Sequence, residues 1–284
     1  MDDILIKLDN IYKIFHNDSI IRSIVTLKGI SIALKKGDVI CITGSSGSGK
    51  TTLLNIIAGK LKPNAGRIEF ITKQYTSYVN YKNDIAKVMT YIPQNPKDAI
   101  IPNVVVFDYL NNICSIDNEE FQKLTKAEKI EKIKSIFTQL QINNDRLNQN
   151  ISNLSMGELQ RVIFAIALIK DSKIIIFDEP TSYLNTELHQ KVGEIINSIA
   201  KTKEKVIILT THSRILSSCF ENSIELYDGY FRRFGNNHLD VDNNSVDKIY
   251  NHNNRIGIPD NYFDDDNNEI NLVKRGDDYF EIRR

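Results

Sequence analysis

Two kinds of hydrophobic pattern alternate along this chain. Short apolar runs bounded by polar turns predict strands at residues 4–8, 30–34, 39–43 and 67–71. The later runs at 173–177 and 205–210 contain IIIF and VIIL, which are apolar throughout, as is typical of parallel strands buried on both faces. Helical spacing predicts helices at 51–60, 158–170 and 187–200. This alternation favours an α/β fold with a mostly parallel sheet.

The pattern changes between residues 92 and 151. Helical periodicity at 107–113 and 124–140, with charge on the outer face of the second helix, predicts a helical subdomain at about 95–156. From residue 236 the chain is rich in Asn and Asp, and residues 239–284 carry 11 acidic and 6 basic side chains, a net charge of −5. We therefore predict one domain at 1–235 and an acidic extension at 236–284, which ends in a hairpin around Gly276.

Charge and cysteine content narrow the function class. The 284 residues balance 36 Lys+Arg against 36 Asp+Glu, so no overall basic excess indicates a nucleic-acid partner. Cys41, Cys114 and Cys219 lie far apart, which favours buried thiols in a reducing compartment. The N-terminus is acidic, and no uncharged apolar run approaches the ~20 residues of a membrane span. We expect a soluble, cytoplasmic protein whose membrane role, if it has one, depends on a partner.

The stretch GSSGSGKT matches the phosphate-loop pattern G-x-x-x-x-G-K-[ST] between a predicted strand and a predicted helix. Its glycines let backbone N–H groups surround a β-phosphate, Lys50 places a positive charge toward the β- and γ-phosphates, and the Thr51 hydroxyl coordinates Mg²⁺. The residues predicted to bind ATP here are Gly44, Ser45, Ser46, Gly47, Ser48, Gly49, Lys50, Thr51 and Thr52.

The stretch KIIIFDEP is a second buried strand that ends in two acids. Asp178 can hold Mg²⁺ through water, and Glu179 can polarise an attacking water. An Asp-Glu pair alone is usually solvated. Here both acids and the phosphate loop are expected at the carboxyl edge of one parallel sheet, which favours a functional role.

The stretch ISNLSMGELQRV predicts a helix that starts with a capping box, Ser155 followed by Glu158. Gly157 in the first turn costs helix stability, and a cap does not require it. Because helix N-termini attract anions, the stretch is either a cap alone or a cap that is also part of a phosphate site.

Together these motifs resemble the ATP-binding-cassette ATPases, the energy-supplying subunits of ABC transporters, over roughly residues 4–234. LSMGE is similar to the signature sequence of that family, which most often reads LSGGQ. The resemblance implies that Ser155 and Gly157 bind the γ-phosphate of ATP held by the other monomer of a head-to-tail dimer. It also implies a P-loop NTPase core with a mostly parallel sheet, antiparallel N-terminal strands and an inserted helical subdomain.

The resemblance assigns three further residues. Gln94, in YIPQNP, is similar to the glutamine that contacts Mg²⁺ and the attacking water and relays nucleotide state to the membrane partner. His212, in LTTHS, is similar to the switch histidine that contacts the γ-phosphate. Phe15 stands where an aromatic stacks on adenine, with Tyr12 as the second candidate. In isolation each has a simpler interpretation, as a surface glutamine, a hydrogen-bonded histidine or a core aromatic.

Two positions depart from the family pattern. Met156 replaces the first signature glycine, and Asn185 stands where a loop of the family usually ends in aspartate, which bears on coupling across the dimer and on turnover. A calcium-like loop at 264–272 fails, because Glu269 replaces the turn glycine and Arg275 the bidentate glutamate.

The expected function is that of an ATP-hydrolysing subunit that works with transmembrane transporter subunits and a second ATPase subunit. Within the family, the sequence following the phosphate loop is similar to the lipoprotein-release and macrolide-export type. The alternatives are a non-transport cassette ATPase, such as a cell-division type, and a regulatory subunit that binds ATP with little hydrolysis.

Overall fold

The computed structural model describes residues 4–17, 22–70, 73–75, 88–116, 118–170, 172–203, 205–233, 255–257, 271–274 and 280–283. The chain forms two compact units. The first unit comprises Met1–Lys36, Thr43–Ile85 and Ile224–Arg284, and the second comprises Gly37–Ile42 and Ala86–Ser223.

Regular elements occur throughout the described residues. The strands in chain order are β1 (Ile4–Asn17), β2 (Arg22–Lys35), β3 (Val39–Thr43), β4 (Ala65–Phe70), β5 (Lys73–Tyr75), β6 (Met89–Ile92), β7 (Ile174–Asp178), β8 (Val206–Thr210), β9 (Ser223–Tyr227), β10 (Tyr230–Arg233), β11 (Arg255–Gly257), β12 (Asn271–Lys274) and β13 (Phe280–Arg283). The α-helices are α1 (Lys50–Ile57), α2 (Val106–Ser115), α3 (Glu119–Lys123), α4 (Lys126–Gln139), α5 (Met156–Ile169), α6 (Thr186–Lys203) and α7 (Arg214–Ser217).

The first unit contains an antiparallel sheet in the order β11-β12-β13-β2-β1-β4-β5. Strands β1 and β2 have 14 residues each and are longer than the sequence predicts. The register between them shifts from Leu8 to Ile11, and Asn10 there has φ 51°. This bulge lets the pair continue past polar residues that would otherwise end a strand. The predicted antiparallel N-terminal strands are confirmed.

Strands β12 and β13 at the C-terminal end of the first unit pair in antiparallel fashion, from Asn271 opposite Arg283 to Lys274 opposite Phe280. This pairing is that of the predicted hairpin, although Gly276 itself lies outside the described residues. Residues 264–270 of the rejected calcium loop also lie outside them.

The second unit contains parallel strands in the order β3-β8-β7-β6. Strands β7 and β8 are buried at all five positions each, as their uninterrupted apolar sequences predict. Asp178 lies directly opposite Thr210 at the carboxyl ends of these two strands. Side chains that follow β6, β7 and β8 therefore emerge at one edge of the sheet, where ligands of α/β folds usually bind.

The predicted helices between residues 92 and 151 are present as α2 and α4, with the short helix α3 between them. Helix α4 begins at Lys126 and not at Leu124, because Thr125 and Glu128 form a capping box at its start. Aromatic side chains of this segment, Phe121 and Phe137 among them, are buried in the core of the second unit. The independence of residues 95–156 as a subdomain stays a prediction.

The cysteines are all free thiols, but they differ in burial. Cys41 and Cys114 are fully buried, whereas Cys219 is only partly buried, so the expectation of three buried thiols was wrong for Cys219. Burial raises the pKa of Cys41 and that of Cys114 to about 12 each. In the described part of the chain, no helix combines the length and apolar character needed to cross a membrane.

Candidate functional site

The phosphate-loop sequence of the first unit connects β3 to α1. The Lys50 side chain folds back over this loop, and its Nζ donates hydrogen bonds to the Gly44 carbonyl at 2.9 Å and the Ser45 carbonyl at 3.0 Å. Lys50 is 7% exposed, whereas Ser45, Ser46 and Gly47 are exposed. The loop therefore holds its cationic group against its own backbone and presents its tip to solvent.

All three glycines of the loop have positive φ, and at two of them a side chain would also meet neighbouring backbone. Gly44 has φ 145°, and a Cβ there would collide with the Leu226 carbonyl. Gly49 has φ 102°, and its Cβ would lie 2.9 Å from the Thr26 carbonyl. A side chain at either position would force the loop to move. Local packing thus favours glycine at positions 44 and 49, in addition to any requirement from a bound phosphate.

Ser48 supplies an independent indication that a polar group binds at this loop. The Ser48 side chain is 8% exposed, and its hydroxyl has no hydrogen-bond partner among the described residues. A buried hydroxyl without a partner costs free energy. A phosphate oxygen at the loop could accept its hydrogen bond.

Asp178 ends strand β7 in the second unit and is 2% exposed. Its Oδ1 accepts a hydrogen bond of 2.7 Å from the Thr210 hydroxyl, and its Oδ2 accepts one of 3.1 Å from the Tyr91 hydroxyl. Burial, with the nearby Asp178 carboxylate adding to it, raises the pKa of Tyr91. These two hydroxyls, from strands on either side of β7, fix the orientation of the carboxylate.

Glu179 follows in a left-handed backbone conformation with φ 51°. Its N–H points to Thr210, 3.2 Å from the carbonyl oxygen and 3.1 Å from the hydroxyl. Its Oε2 accepts the His212 N–H at 3.0 Å, and its Oε1 lies 3.1 Å from His212 Nε2. The second unit therefore brings together Glu179 and His212, which the sequence separates by 33 positions.

The Glu179 carboxylate lies at the boundary between the core and the solvent. The Glu179 side chain is 7% exposed, while that of His212 is 51% exposed. A carboxylate fixed by a backbone N–H and an imidazole can accept a proton from a water within hydrogen-bond distance. Gln94 is exposed two residues beyond the end of β6.

The signature-like stretch forms the start of α5, as predicted. The Ser155 hydroxyl accepts the Glu158 N–H at 3.3 Å, and Glu158 Oε2 accepts the Ser155 N–H at 3.0 Å, which completes the capping box. Glu158 Oε1 also accepts a 2.7 Å hydrogen bond from Arg146 Nε. The Ser155 backbone N–H, with smaller contributions from its hydroxyl and from Arg146, lowers the pKa of Glu158.

Gly157 has a second reason to lack a side chain. A Cβ at Gly157 would lie 2.9 Å from the Tyr183 carbonyl oxygen of the same chain. Real Cβ atoms do not approach a backbone oxygen that closely, so the first turn of α5 packs directly on the backbone near Tyr183. The sequence-based interpretation, which explained Gly157 by phosphate access alone, missed this contact.

The two aromatic candidates for adenine stacking differ in exposure. Phe15, on β1, is 41% exposed, and Lys13 Nζ lies 5.1 Å from its ring centroid. Tyr12 is 8% exposed. Of the two, Phe15 alone presents an accessible ring face of the kind a purine can stack on.

Sequence reasoning missed three residues that contact the candidate acids, namely Thr210, Tyr91 and Gln160. Thr210 and Tyr91 hold Asp178, and the Gln160 side chain donates to the Glu179 carbonyl at 3.2 Å. The one available signal was that Thr210 lies at the carboxyl end of a predicted strand. Strand β6, which carries Tyr91, was not predicted. Gln160 lies on a buried helix face, where no local pattern distinguishes it.

The Glu158 carboxylate permits a pH-resolved test of the capping box. We expect Glu158→Gln to lower the free energy of unfolding by about 0.5–1 kcal/mol at pH 7. Because the folded state lowers this pKa, the charge-dependent stabilisation is complete above the unfolded-state pKa and is lost as pH falls through the folded-state value. The difference between the two proteins should therefore shrink as the pH is lowered from 7 to about 3 in urea denaturation.

Exposed Glu221 supplies the control for this measurement. The Glu221→Gln variant should match the unmodified chain at both pH values. A stability difference for Glu158→Gln that persists undiminished in acid would contradict the charge-based explanation.

A protein-family model described as ABC transporter matches residues 27–182, more than half of the chain. The chain belongs to the ABC transporter family. This confirms the expected family. It also favours the transporter interpretation over the non-transport alternatives.

The relatives of this ABC transporter family member differ in length. It is 29% identical over 234 residues to the probable ABC transporter ATP-binding protein p29 of Mesomycoplasma hyorhinis, covering 80% of this chain and 90% of that protein. It is 28% identical over 236 residues to the lipoprotein-releasing system ATP-binding protein LolD of Legionella pneumophila, covering 81% and 97%. ABC transporter H family member 2 of Dictyostelium discoideum is 29% identical over 236 residues, but the match spans 81% of this chain and only 44% of that protein.

Solved structures confirm the fold class. The dimeric bacterial ABC transporter cassette MJ0796 matches with a TM-score of 0.71 at 24% identity, covering 81% of this chain and 97% of that one. The cassette protein cbiO1 of Clostridium perfringens matches with a TM-score of 0.66 at 24% identity, covering 83% and 89%. At this identity the likeness concerns the fold alone. The expected P-loop NTPase core is thereby confirmed.

Proposed function

We propose that this chain is the ATP-binding and ATP-hydrolysing subunit of an ABC transporter. The observation that carries the proposal is the Glu179 carboxylate, buried at the end of a parallel strand and held by the His212 N–H. Several relatives, p29 and LolD among them, are named as ATP-binding proteins, which supports the same activity here.

In this proposal the phosphate loop binds the ATP phosphates. Lys50 places its charge toward the β- and γ-phosphates, the Ser48 hydroxyl donates a hydrogen bond to a phosphate oxygen, and Phe15 stacks on adenine. Glu179 accepts a proton from the attacking water, and His212 keeps the carboxylate oriented and contacts the γ-phosphate. Gln94 contacts the same water and signals to the membrane partner.

The candidate ligands of Mg²⁺ are oxygen donors. The Thr51 hydroxyl is exposed at the start of α1, and Asp178 ends β7. Among the described residues, no group of three or more His, Cys, Asp or Glu could hold a metal ion. This fits Mg²⁺, which proteins usually hold through one or two side chains and substrate phosphates. Bound Mg²⁺ would neutralise phosphate charge, with Thr51, Asp178 through water, and Gln94 as its protein contacts.

Two subunits act together in this proposal. Ser155 and Gly157 of each subunit would bind the γ-phosphate of ATP held by the other, so that ATP drives dimerisation and hydrolysis releases it. The dimeric form of the MJ0796 cassette supports such an arrangement. We further propose that the subunit works on the cytoplasmic face of a membrane through transmembrane partner subunits.

Ser155→Asp tests the contact between subunits. Aspartate is a good N-cap residue, so α5 should form, but its charge would repel the γ-phosphate. We expect ATP-driven dimerisation, followed by size-exclusion chromatography with light scattering, to weaken at least about tenfold. ATP affinity of the monomer should stay within about twofold, because Ser155 serves the site of the other subunit.

The matched control is Thr125→Asp, which changes the equivalent residue in the capping box of α4. That variant should dimerise as the unmodified chain does. Equal effects of the two substitutions would assign the loss to helix capping and would contradict the contact between subunits.

The transporter assignment is tested by cross-linking and by phosphate release. A photo-reactive residue at Ile101, which is 62% exposed beyond Gln94, should capture a multi-span membrane protein in cells, whereas one at exposed Gln190 should not. The purified chain should release phosphate from Mg-ATP. Capture of ribosomal proteins or DNA from Ile101 would overturn the assignment.

A further inference from the structure

Gln160 lies on α5 and is 2% exposed. Its side-chain amide bonds to two backbone groups outside the helix. Nε2 donates to the Glu179 carbonyl at 3.2 Å, and Oε1 accepts the Tyr183 N–H at 2.9 Å. One amide therefore holds both ends of the segment 179–183 to the helix.

Gly157 strengthens this attachment from the preceding turn. It lies three positions before Gln160, on the same face of α5, and its Cα packs against the Tyr183 carbonyl so closely that a Cβ would approach to 2.9 Å. The backbone of Tyr183 thus meets α5 through both its N–H and its carbonyl. Ser155 and Gly157, which are proposed to contact a phosphate, thus lie at the start of a helix that is attached to the segment 179–183 of the same subunit.

The segment held in this way contains an unfavourable backbone conformation. Glu179 has φ 51°, in the left-handed region that is unfavourable for residues with a side chain. Its carbonyl accepts the Ser182 N–H at 3.2 Å as well as the Gln160 amide. A strained conformation persists only where its surroundings hold it, and Gln160 supplies one of these restraints.

We propose that Gln160 is a positioning residue for Glu179, which fixes the backbone that aims the Glu179 carboxylate and couples it to the start of α5. This inference rests on the proposed ATP hydrolysis. Because Gln160 is buried, we assign it a role through Glu179 and not through contact with the substrate. Its role requires a donor and an acceptor in one side chain, which glutamine provides and methionine or ionised glutamate does not.

Two substitutions separate the two hydrogen bonds. Gln160→Met keeps the length and volume of the side chain but removes both bonds. Gln160→Glu keeps the acceptor for Tyr183 and loses the donor to Glu179 when its carboxyl is ionised, so all variants are compared at about pH 9, where ionisation of a buried carboxyl is favoured. The control is Gln122→Met, on an exposed position of α3 in the same unit. Hydrogen exchange, resolved to single amides by mass spectrometry with fragmentation, reports the Tyr183 N–H in the full-length chain.

In Gln160→Met, we expect the Tyr183 amide to exchange at least about tenfold faster, whereas Gln160→Glu and the control should keep it protected. Turnover of ATP should fall at least about tenfold in both Gln160 variants, with KM for ATP within about twofold, because phosphate binding is left intact. Should Gln160→Met not fold, Gln160→Glu still tests the effect on turnover.

Unchanged Tyr183 exchange in Gln160→Met would overturn the attachment. Full turnover in a folded Gln160 variant, when the unmodified chain hydrolyses ATP, would overturn the positioning role and leave the proposed function intact. Absence of hydrolysis by the unmodified chain, alone and with its membrane partner, would overturn the proposed function and this role with it.

Discussion

Replacing Glu179 with Gln is expected to lower the rate of ATP hydrolysis on the order of 10²–10⁴-fold while ATP affinity is retained. The amide keeps the shape of the side chain and can accept the His212 N–H, which donates to Oε2 at 3.0 Å. It cannot take a proton from water at neutral pH. Phosphate release should therefore collapse, while equilibrium binding of ATP changes by less than about threefold.

A matched variant controls for the loss of one negative charge in the same unit. Glu187, in the first turn of α6, is exposed, and Glu187→Gln should hydrolyse ATP at the unmodified rate. The Glu179→Gln protein should also accumulate as an ATP-bound dimer, because binding continues while release by hydrolysis stops. If Glu179→Gln turns over ATP at the rate of the unmodified chain, the carboxylate is not the proton acceptor. Negligible turnover in both the unmodified chain and the Glu179→Gln variant would favour the regulatory-subunit alternative.

Much of the fold follows from local patterns in the sequence. Strands β7 and β8 are predictable because burial on both faces requires an uninterrupted apolar run, and the start of α5 is predictable because Ser155 and Glu158 satisfy its first backbone groups. The full length of β1 was missed because Asp9 and Asn10 resemble a turn. Their accommodation depends on the bulge against β2, a pairing between distant parts of the chain.

The candidate site divides in the same way. Lys50, Asp178 and Glu179 belong to short motifs whose chemistry can be inferred from residue type and spacing. The contacts that orient the acids join residues far apart in sequence, as when the Thr210 hydroxyl, 32 positions away, donates to Asp178. No periodicity in one sequence encodes such a contact. Gly157 is the clearest case of a contact that the sequence does not predict. The carbonyl that excludes a Cβ there belongs to Tyr183, in the loop between β7 and α6.

Replacing Lys50 with Met is expected to weaken ATP binding roughly 10- to 150-fold, the equivalent of about 1.5–3 kcal/mol for a charge-assisted hydrogen bond. In the unmodified chain, Lys50 Nζ donates hydrogen bonds to the carbonyls of Gly44 and Ser45, so the substitution also removes the donor to these two oxygens. Hydrolysis at saturating ATP should fall as well, since the ammonium group stabilises charge that develops on the γ-phosphate. Titration with a fluorescent ATP analogue and phosphate-release kinetics measure the two effects.

Lys60→Met removes a charge from an exposed position just beyond α1 and should bind ATP with unchanged affinity. This comparison separates the specific position of Lys50 from the general loss of a positive charge. Lys50→Arg sharpens it further, because the guanidinium keeps the charge but is too large to reproduce the two short contacts of Nζ, so it should restore little affinity. Unchanged ATP affinity in Lys50→Met would show that the loop does not hold the phosphates through this lysine, and the nucleotide site would then have to be sought elsewhere.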